Sequence, residues 1–522
     1  MSDLEDLLAR IEQWDAEGNR QAIADAFATR GLDEIAIINV LQLLLVNEKL
    51  TAAFSVYEYL AERGLGGANF IVGFAQALKG LLTGDLQMAR DGLVIVSFII
   101  DGLSADTRDS IFRSFFLPAV RHPVLLCLVH KREEILLRLL DLFKAADPLM
   151  RTTFDFDQPP VAVDIAAMRA RGIARQRLLP YEGPPAGTRR STRRVAVAMP
   201  RLYIPTAPAS RLNDTGPLIC DTMRRYGWQA DFHGMEFAPS AQAYLDEFLR
   251  IVDFCEAMRA DMLVFDDIGV KDPLSHPLRS HFLSLLRQRL PSLTVVGAYL
   301  DSWVIPEEIL IHAAETVDVV WAYSPSLPVF GHEAFRGKLF TPPLPRGPYA
   351  DPDRPVPPLP ARMVFPGGIS EASYHRAFWL AAANWYGLAM DKVVSTHMSD
   401  DLDVVDSFRA YCNRLVDSGC VLNLAMRPDH SLPITGRAFE ATMNGALLIQ
   451  EAAPDVDYYF IAGEHYIEFK TFADLRAVAD FIAGNREEAE AVRRRGAAFA
   501  RDRYSGEKVV GYLDEFLYRM GR

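Results

Sequence analysis

The run Gly436-Arg437-Ala438-Phe439-Glu440-Ala441-Thr442-Met443-Asn444-Gly445 places an arginine and a glutamate three positions apart at the opening of a short helical pattern. The pattern closes at Gly445 and feeds an apolar strand, Ala446–Ile449. A helix N-terminus presents backbone N–H groups and a partial positive charge, so it receives a phosphate well. Arg437 adds a bidentate donor for phosphate oxygens. Glu440, one turn in, is an acceptor that could grip the two hydroxyls of a ribose. The same spacing suits a plain surface ion pair, so the pattern alone leaves both readings open.

Other groups able to do chemistry fall at or beyond expected strand ends. Asp214 lies in the loop after the first strand of an alternating pattern, and His233 follows the second. Asp266 and Asp267 follow Phe265, and Asp301 follows Leu300. One carboxylate or imidazole could act as general base for an acceptor hydroxyl. Asp301 is the preferred candidate, with His233 and Asp214 beside it. Each has a structural alternative: Asp214 would also cap the helix beginning near Gly216, and His233 would also line a turn. Arg427, His430 and His397 are further candidates for the phosphate or base face. No strand-terminal D-x-D occurs, and Asp266-Asp267 lacks a spaced third ligand, so no metal site is expected. Cationic side chains and a helix N-terminus can stabilise a leaving diphosphate without one. A nucleophile elbow and a Walker loop are both missing.

The elements that must position these groups follow from length and patterning. At 522 residues the chain is too long for one ordinary core, so two or three domains are expected. Half the residues are hydrophobic and 24% are charged, a globular composition that excludes wholesale disorder. A net charge of −13 denies the chain the basic footprint of a general nucleic-acid binder. Cys127, Cys220, Cys255, Cys412 and Cys420 form no CxxC pair and sit in apolar runs, so they read as reduced, buried thiols. The acidic, helical start is unlike a secretory leader. The longest apolar stretch, Leu93–Ile100, is far short of the roughly 20 residues of a membrane span. A soluble, cytoplasmic protein is the expectation.

Residues 1–150 carry apolar positions at helical spacing with almost no strand signal, and Ala75, Gly80, Gly84 and Ala89 follow the small-residue register of a tetratricopeptide-like helix pair. Residues 151–193 read as a basic, Pro/Gly-rich linker, either solvated or forming a patch for anionic lipid or an acidic partner. Residues 194–350 alternate strand and helix, as a parallel α/β sheet does. Strands are expected at Val195–Met199, Trp228–Phe232, Met262–Phe265, Thr294–Leu300 and Val317–Ala322. A Pro-rich hinge, Pro342 to Pro360, leads to a second alternation over residues 361–522. Its strands are expected at Met363–Phe365, Val393–Thr396, Val421–Met426, Ala446–Ile449 and Tyr466–Phe469. Two Rossmann-like lobes would then face a cleft, with ligands beyond the carboxyl ends of the strands.

The stretch Met426–Phe469 resembles the carboxyl-terminal lobe of GT-B glycosyltransferases, in the branch typified by spore-maturation-like members with R-x-F-E-x-x-x-x-G ahead of an apolar strand. Tyr459-Phe460-Ile461-Ala462-Gly463-Glu464-His465-Tyr466, the closing Arg503-Tyr504-Ser505 and the loop Phe365-Pro366-Gly367-Gly368-Ile369-Ser370 are similar to further landmarks of that family. The resemblance implies a GT-B fold of two Rossmann-like lobes, preceded here by an all-α helical-repeat domain. It gives Glu440 the nucleotide ribose, Arg437 a diphosphate contact, and Gly367 and Gly368 the loop that lets backbone approach the phosphates. Many retaining members have a second glutamate eight positions before Glu440, where this chain has Leu432, so no stereochemical course is implied. The implied activity is metal-independent transfer of a sugar from a nucleotide-sugar substrate, without a cofactor, to a protein or cell-surface glycan. The alternatives are a nucleotide-sugar epimerase, or an inactive GT-B scaffold with a protein-binding helical domain. The amino-terminal helices are expected to select the acceptor and to leave donor binding alone.

Overall fold

The first sheet runs β1 (Arg194–Pro200), β2 (Gln229–Met235), β3 (Met262–Asp266), β4 (Thr294–Ala298), β5 (Val319–Trp321) and β6 (Leu339–Phe340), in the order β2-β1-β3-β4-β5-β6. The second holds β7 (Met363–Pro366), β8 (Met390–Val393), β9 (Cys420–Asn423), β10 (Leu447–Glu451) and β11 (Ile467–Phe469), in the order β11-β10-β9-β7-β8. Every strand pair within them is parallel. The central strands are near-continuous apolar runs because parallel strands are covered on both faces. Helices fill the connections, among them Thr215–Tyr226, Ala241–Met258, Val404–Ser418 and Gly436–Met443. This computed structural model describes residues 2–67, 69–111, 114–115, 119, 133–179, 192–201, 214–236, 240–266, 276–299, 305–359, 363–367, 375–388, 390–393, 404–426 and 432–522.

An all-α region followed by two Rossmann-like parallel lobes is the GT-B architecture expected from the sequence. Strand order reverses between β1 and β3 in the first lobe and between β7 and β9 in the second. Those two points open crevices at the carboxyl ends of the strands. The strand expected at Val393–Thr396 is described only at its first residue, where β8 (Met390–Val393) pairs with β7; residues 394–396 lie outside the described residues. The chain's last helix, Gly506–Arg519, returns to the first lobe, where Val509, Val510, Leu513 and Leu517 share a core with Val195, Ile219 and Trp321. Four cysteines (Cys220, Cys255, Cys412 and Cys420) are buried free thiols, and Cys127 lies outside the described residues.

In the amino-terminal region, helices Phe70–Thr83 and Leu86–Asp101 pack backbone to backbone. A methyl at Gly80 would strike the backbone of Ala89, and one at Gly92 the backbone of Ala77. The small-residue register therefore builds a tight helical pair. These helices do not stand apart from the rest, however. Phe143 packs edge-on against Phe378 (4.8 Å), Phe154 against Trp379 (4.9 Å), and Phe156 against Phe472 (5.3 Å). One hydrophobic core runs from Leu7 through the second lobe to Tyr504.

Two expectations about connectors are corrected. The region 151–193 is not a solvated linker over its described part. It contains the helix Ile165–Arg175, which lies on the second lobe. Arg175 binds Glu468 through two nitrogens (3.2 and 2.6 Å), Arg169 pairs with Glu464, and Arg177 donates its backbone N–H to Asp457 (2.8 Å). A methyl on Gly172 would strike the backbone of Ala462, so the helix is seated at van der Waals contact. Arg193 pairs with Asp514 and Arg194 with Asp261, whereas Arg189 and Arg190 lie outside the described residues. The Pro-rich crossing is likewise no free hinge. Over residues 342–350 it is a mostly buried strap: Trp321 Nε1 donates to the Pro342 carbonyl (2.8 Å), and Tyr459 Oη to that of Thr341 (2.6 Å). Thr222 donates to the Pro345 carbonyl (2.8 Å), and Asn444 accepts from the N–H groups of Tyr349 and Ala350 (3.2 and 2.9 Å). Both lobes hold it.

Candidate functional site

Arg437 is the second residue of the helix Gly436–Met443, whose N-cap residue, Thr435, makes no side-chain cap bond. The Thr435 hydroxyl instead donates to Asn423 Oδ1 (3.0 Å), which also accepts from Arg437 Nη1 (2.9 Å). Asn423 closes β9 and is fully buried, and its amide donates to Gln450 of β10 (2.6 Å). A polar network anchored in two strands thus aims the guanidinium across the sheet. It lies over the Phe365 ring of β7 (5.2 Å to the centroid), and a methyl added to Gly367 would collide with it. Arg437 therefore bridges the ends of β9 and β7, the reversal point of the second sheet, where an anion would meet a guanidinium beside a helix N-terminus.

Glu440 is buried one turn further along the same helix. Its Oε2 accepts from the Tyr411 hydroxyl (3.1 Å) and its Oε1 faces Arg346 Nη1 (3.4 Å). Burial, and then the Glu440 charge, push the Tyr411 phenol well above its ordinary range, so it stays a donor. Arg346 comes from the strap, and its other terminal nitrogen reaches Asp214 Oδ1 (3.4 Å) and the Thr215 hydroxyl. Asp214 occupies the N-cap position of helix Thr215–Tyr226 but makes no cap bond, its carboxylate being turned to Arg346. The sequence Asp214–Arg346–Glu440–Tyr411 thus crosses from the first lobe to the second.

Of the residues singled out from sequence, Gly367, Arg437 and Glu440 come together at the second sheet, and Asp214 joins them through Arg346. His233 does not. It lies within β2 rather than beyond it, because that strand continues to Met235. Its Nε2 is 2.7 Å from Glu247 Oε1, a buried carboxylate on helix Ala241–Met258 that also pairs with Arg250. That is a helix-to-sheet contact on an edge strand. Asp214 is held by the Arg346 guanidinium. Asp301, Gly368, Arg427, His430, Asp267 and His397 lie outside the described residues. Asp266 closes β3 and is buried. Leu432, at the position of the missing glutamate, packs partly buried against the core.

Arg346, Asn423, Tyr411 and Glu451 escaped notice in the sequence. One signal existed for Arg346: it is the sole charged residue between Lys338 and Asp351. Glu451 ends β10, where its Oε2 accepts from the N–H groups of Ala425 and Met426 (2.7 and 2.8 Å) and so fixes the chain leaving β9. Burial pushes its carboxyl up to about 7, against the pull of those N–H groups and of Arg376. A carboxyl raised above its ordinary 4.5 favours the folded state at low pH, and that contribution is lost as pH rises through 7. Glu451→Gln cannot titrate, so its melting temperature relative to wild type should climb by a few degrees from pH 5 to pH 8. A flat difference across that range would show the carboxyl titrating normally.

Among the described residues no group of three or more His, Cys, Asp or Glu is placed to hold a metal ion, and no helix is long and apolar enough to cross a membrane. Residues 375–514 match the glycosyl transferase-like family model, a span that contains Tyr411, Asn423, Arg437, Glu440 and Glu451. The match begins in the second lobe and ends in the helix Gly506–Arg519. Similar solved structures include a glycosyltransferase from Rickettsia africae (10% identity over 63% of this chain and 99% of that one, TM-score 0.43). Others are sucrose-phosphate synthase from Thermosynechococcus elongatus (13%, 63% and 98%, 0.42) and Anabaena HepE in complex with UDP and glucose (8%, 62% and 99%, 0.41). Each leaves more than a third of this chain unmatched. No curated protein matches the chain.

Proposed function

We propose that the chain is a glycosyltransferase that takes a sugar from a nucleotide-sugar donor and passes it to a protein or cell-surface glycan. The observation that carries this reading is Arg437, held by Asn423 between the ends of β9 and β7 inside a glycosyl transferase-like domain. The donor diphosphate would lie against that guanidinium, the helix N-terminus and the loop at Gly367 and Gly368, with Arg427 and His430 as further phosphate contacts. Glu440 would accept from the ribose hydroxyls, since a carboxylate has capacity beyond the bonds from Tyr411 and Arg346. An acceptor hydroxyl then attacks the anomeric carbon, the bond from that carbon to the diphosphate oxygen breaks, and a base removes the hydroxyl proton. With His233 and Asp214 engaged elsewhere, Asp301 is the proposed base. Arg437 stabilises the negative charge that gathers on the diphosphate.

A panel of nucleotide sugars tests this reading. A transferase releases nucleoside diphosphate slowly without acceptor and faster with it. An epimerase would change the sugar, and an inactive scaffold would do neither. Glu440→Ala and Glu440→Gln should weaken nucleotide affinity at least about tenfold, the scale of a lost charge-assisted hydrogen bond. Titration calorimetry with UDP checks this, and unchanged affinity in a folded variant would remove Glu440 from the site.

A further inference from the structure

Arg346 stands apart from the elements that build either lobe. It is carried on a strap held by hydrogen bonds from both sides, so its backbone is fixed in the cleft. Its two terminal nitrogens face carboxylates of different lobes, Asp214 and Glu440, at 3.4 Å each. The side chains of both carboxylates are nearly buried (5% and 8% exposed), and Arg346 itself is 16% exposed. Like charges in a poorly hydrated place repel one another unless a cation lies between them. Among the described residues, Tyr411, Cys412 and Arg437 lie around Glu440, and Cys412 also faces Asp214. Burial raises both Tyr411 and Cys412, which keeps them neutral.

We propose that Arg346 is a positioning residue that ties Glu440 to Asp214 across the cleft, so that the first lobe takes part in setting the nucleotide-facing carboxylate of the second. The role in nucleotide binding rests on the glycosyltransferase reading; the ionic coupling does not. A planar guanidinium suits this task because its separate nitrogens reach two acceptors at once, whereas an ammonium is a single point charge. Asp214, which forgoes capping its own helix, is the first-lobe end of the coupling.

The test uses the full chain as wild type, R346Q, R346K and the double variant D214N/R346Q. Thermal unfolding without ligand and UDP affinity are measured at neutral pH. R346Q should melt below wild type and bind UDP at least about tenfold more weakly. Adding D214N removes one of the two carboxylates and should restore most of the lost melting temperature without restoring UDP affinity, a split that a merely structural loss would not give. R346K keeps the charge and should melt close to wild type, yet bind UDP less tightly. If D214N/R346Q melts no higher than R346Q, or R346K binds UDP as tightly as wild type, the coupling is overturned. Should R346Q fail to fold, D214N/R346Q must fold, or the proposal falls. A wild-type protein that binds no nucleoside diphosphate while the unfolding pattern holds would sink the glycosyltransferase reading and leave the ionic coupling standing.

Discussion

Arg437→Ala should lower glycosyl transfer by roughly a hundredfold, the scale of one lost donor to developing negative charge, while wild-type transfer persists in excess chelator. As the bond to the anomeric carbon breaks, charge accumulates on the departing diphosphate, and something positive must meet it. The second lobe offers a guanidinium pinned by Asn423 at the reversal point of its sheet, with a helix N-terminus beside it and a glycine where any side chain would strike the guanidinium. Arg437→Lys should recover only part of the loss, because an ammonium keeps charge but not the forked geometry. Asn423→Ala should act in the same direction more weakly by releasing the guanidinium, and it should change turnover more than nucleotide affinity. Loss of all turnover in chelator, restored by magnesium or manganese, would assign the leaving-group charge to a metal instead.

What the sequence made legible follows from which interactions are local. Strands buried on both faces announce themselves as apolar runs, so nearly every strand of both sheets was expected within a few residues of its place. The Arg437–Glu440 spacing was visible because one helix carries both residues. What stayed hidden depends on partners distant in the chain. The stretch 151–193 looked like a basic linker because the carboxylate that Arg175 meets, Glu468, lies 293 positions later. The strap looked like a hinge because proline supplies no N–H, yet its carbonyls are gripped by side chains of Trp321, Thr222 and Tyr459. Arg346 was overlooked with it. His233 was placed just past the second strand, yet β2 runs three residues further, to Met235, and includes it.

Removing the amino-terminal helices should cost the chain its fold, not merely its acceptor. Viewed as sequence, the helical region and the basic stretch after it look separable, and a chain beginning near Arg193 would be expected to keep nucleotide binding. The packing argues otherwise. Such a truncation would uncover Phe378 and Trp379, now buried beneath Phe143 and Phe154, and would strip Phe156 from Phe472 and Tyr386. At about 1.5–3 kcal/mol for each large apolar side chain returned to water, a few of them rival the roughly 5–15 kcal/mol that holds a typical domain together. The helix Ile165–Arg175 would go as well, leaving Glu468 without Arg175 and Glu464 with Arg495 but not Arg169. The truncated chain should therefore aggregate or unfold well below the wild-type melting temperature, and lose UDP binding along with its structure. In the full chain, Phe154→Ala should destabilise by about 3–5 kcal/mol, the range for a buried aromatic cut to alanine, as read from urea melts. A truncated protein that stays monomeric, melts cooperatively and binds UDP as the full chain does would mean that the shared core contributes little and that the helices are an appended module after all.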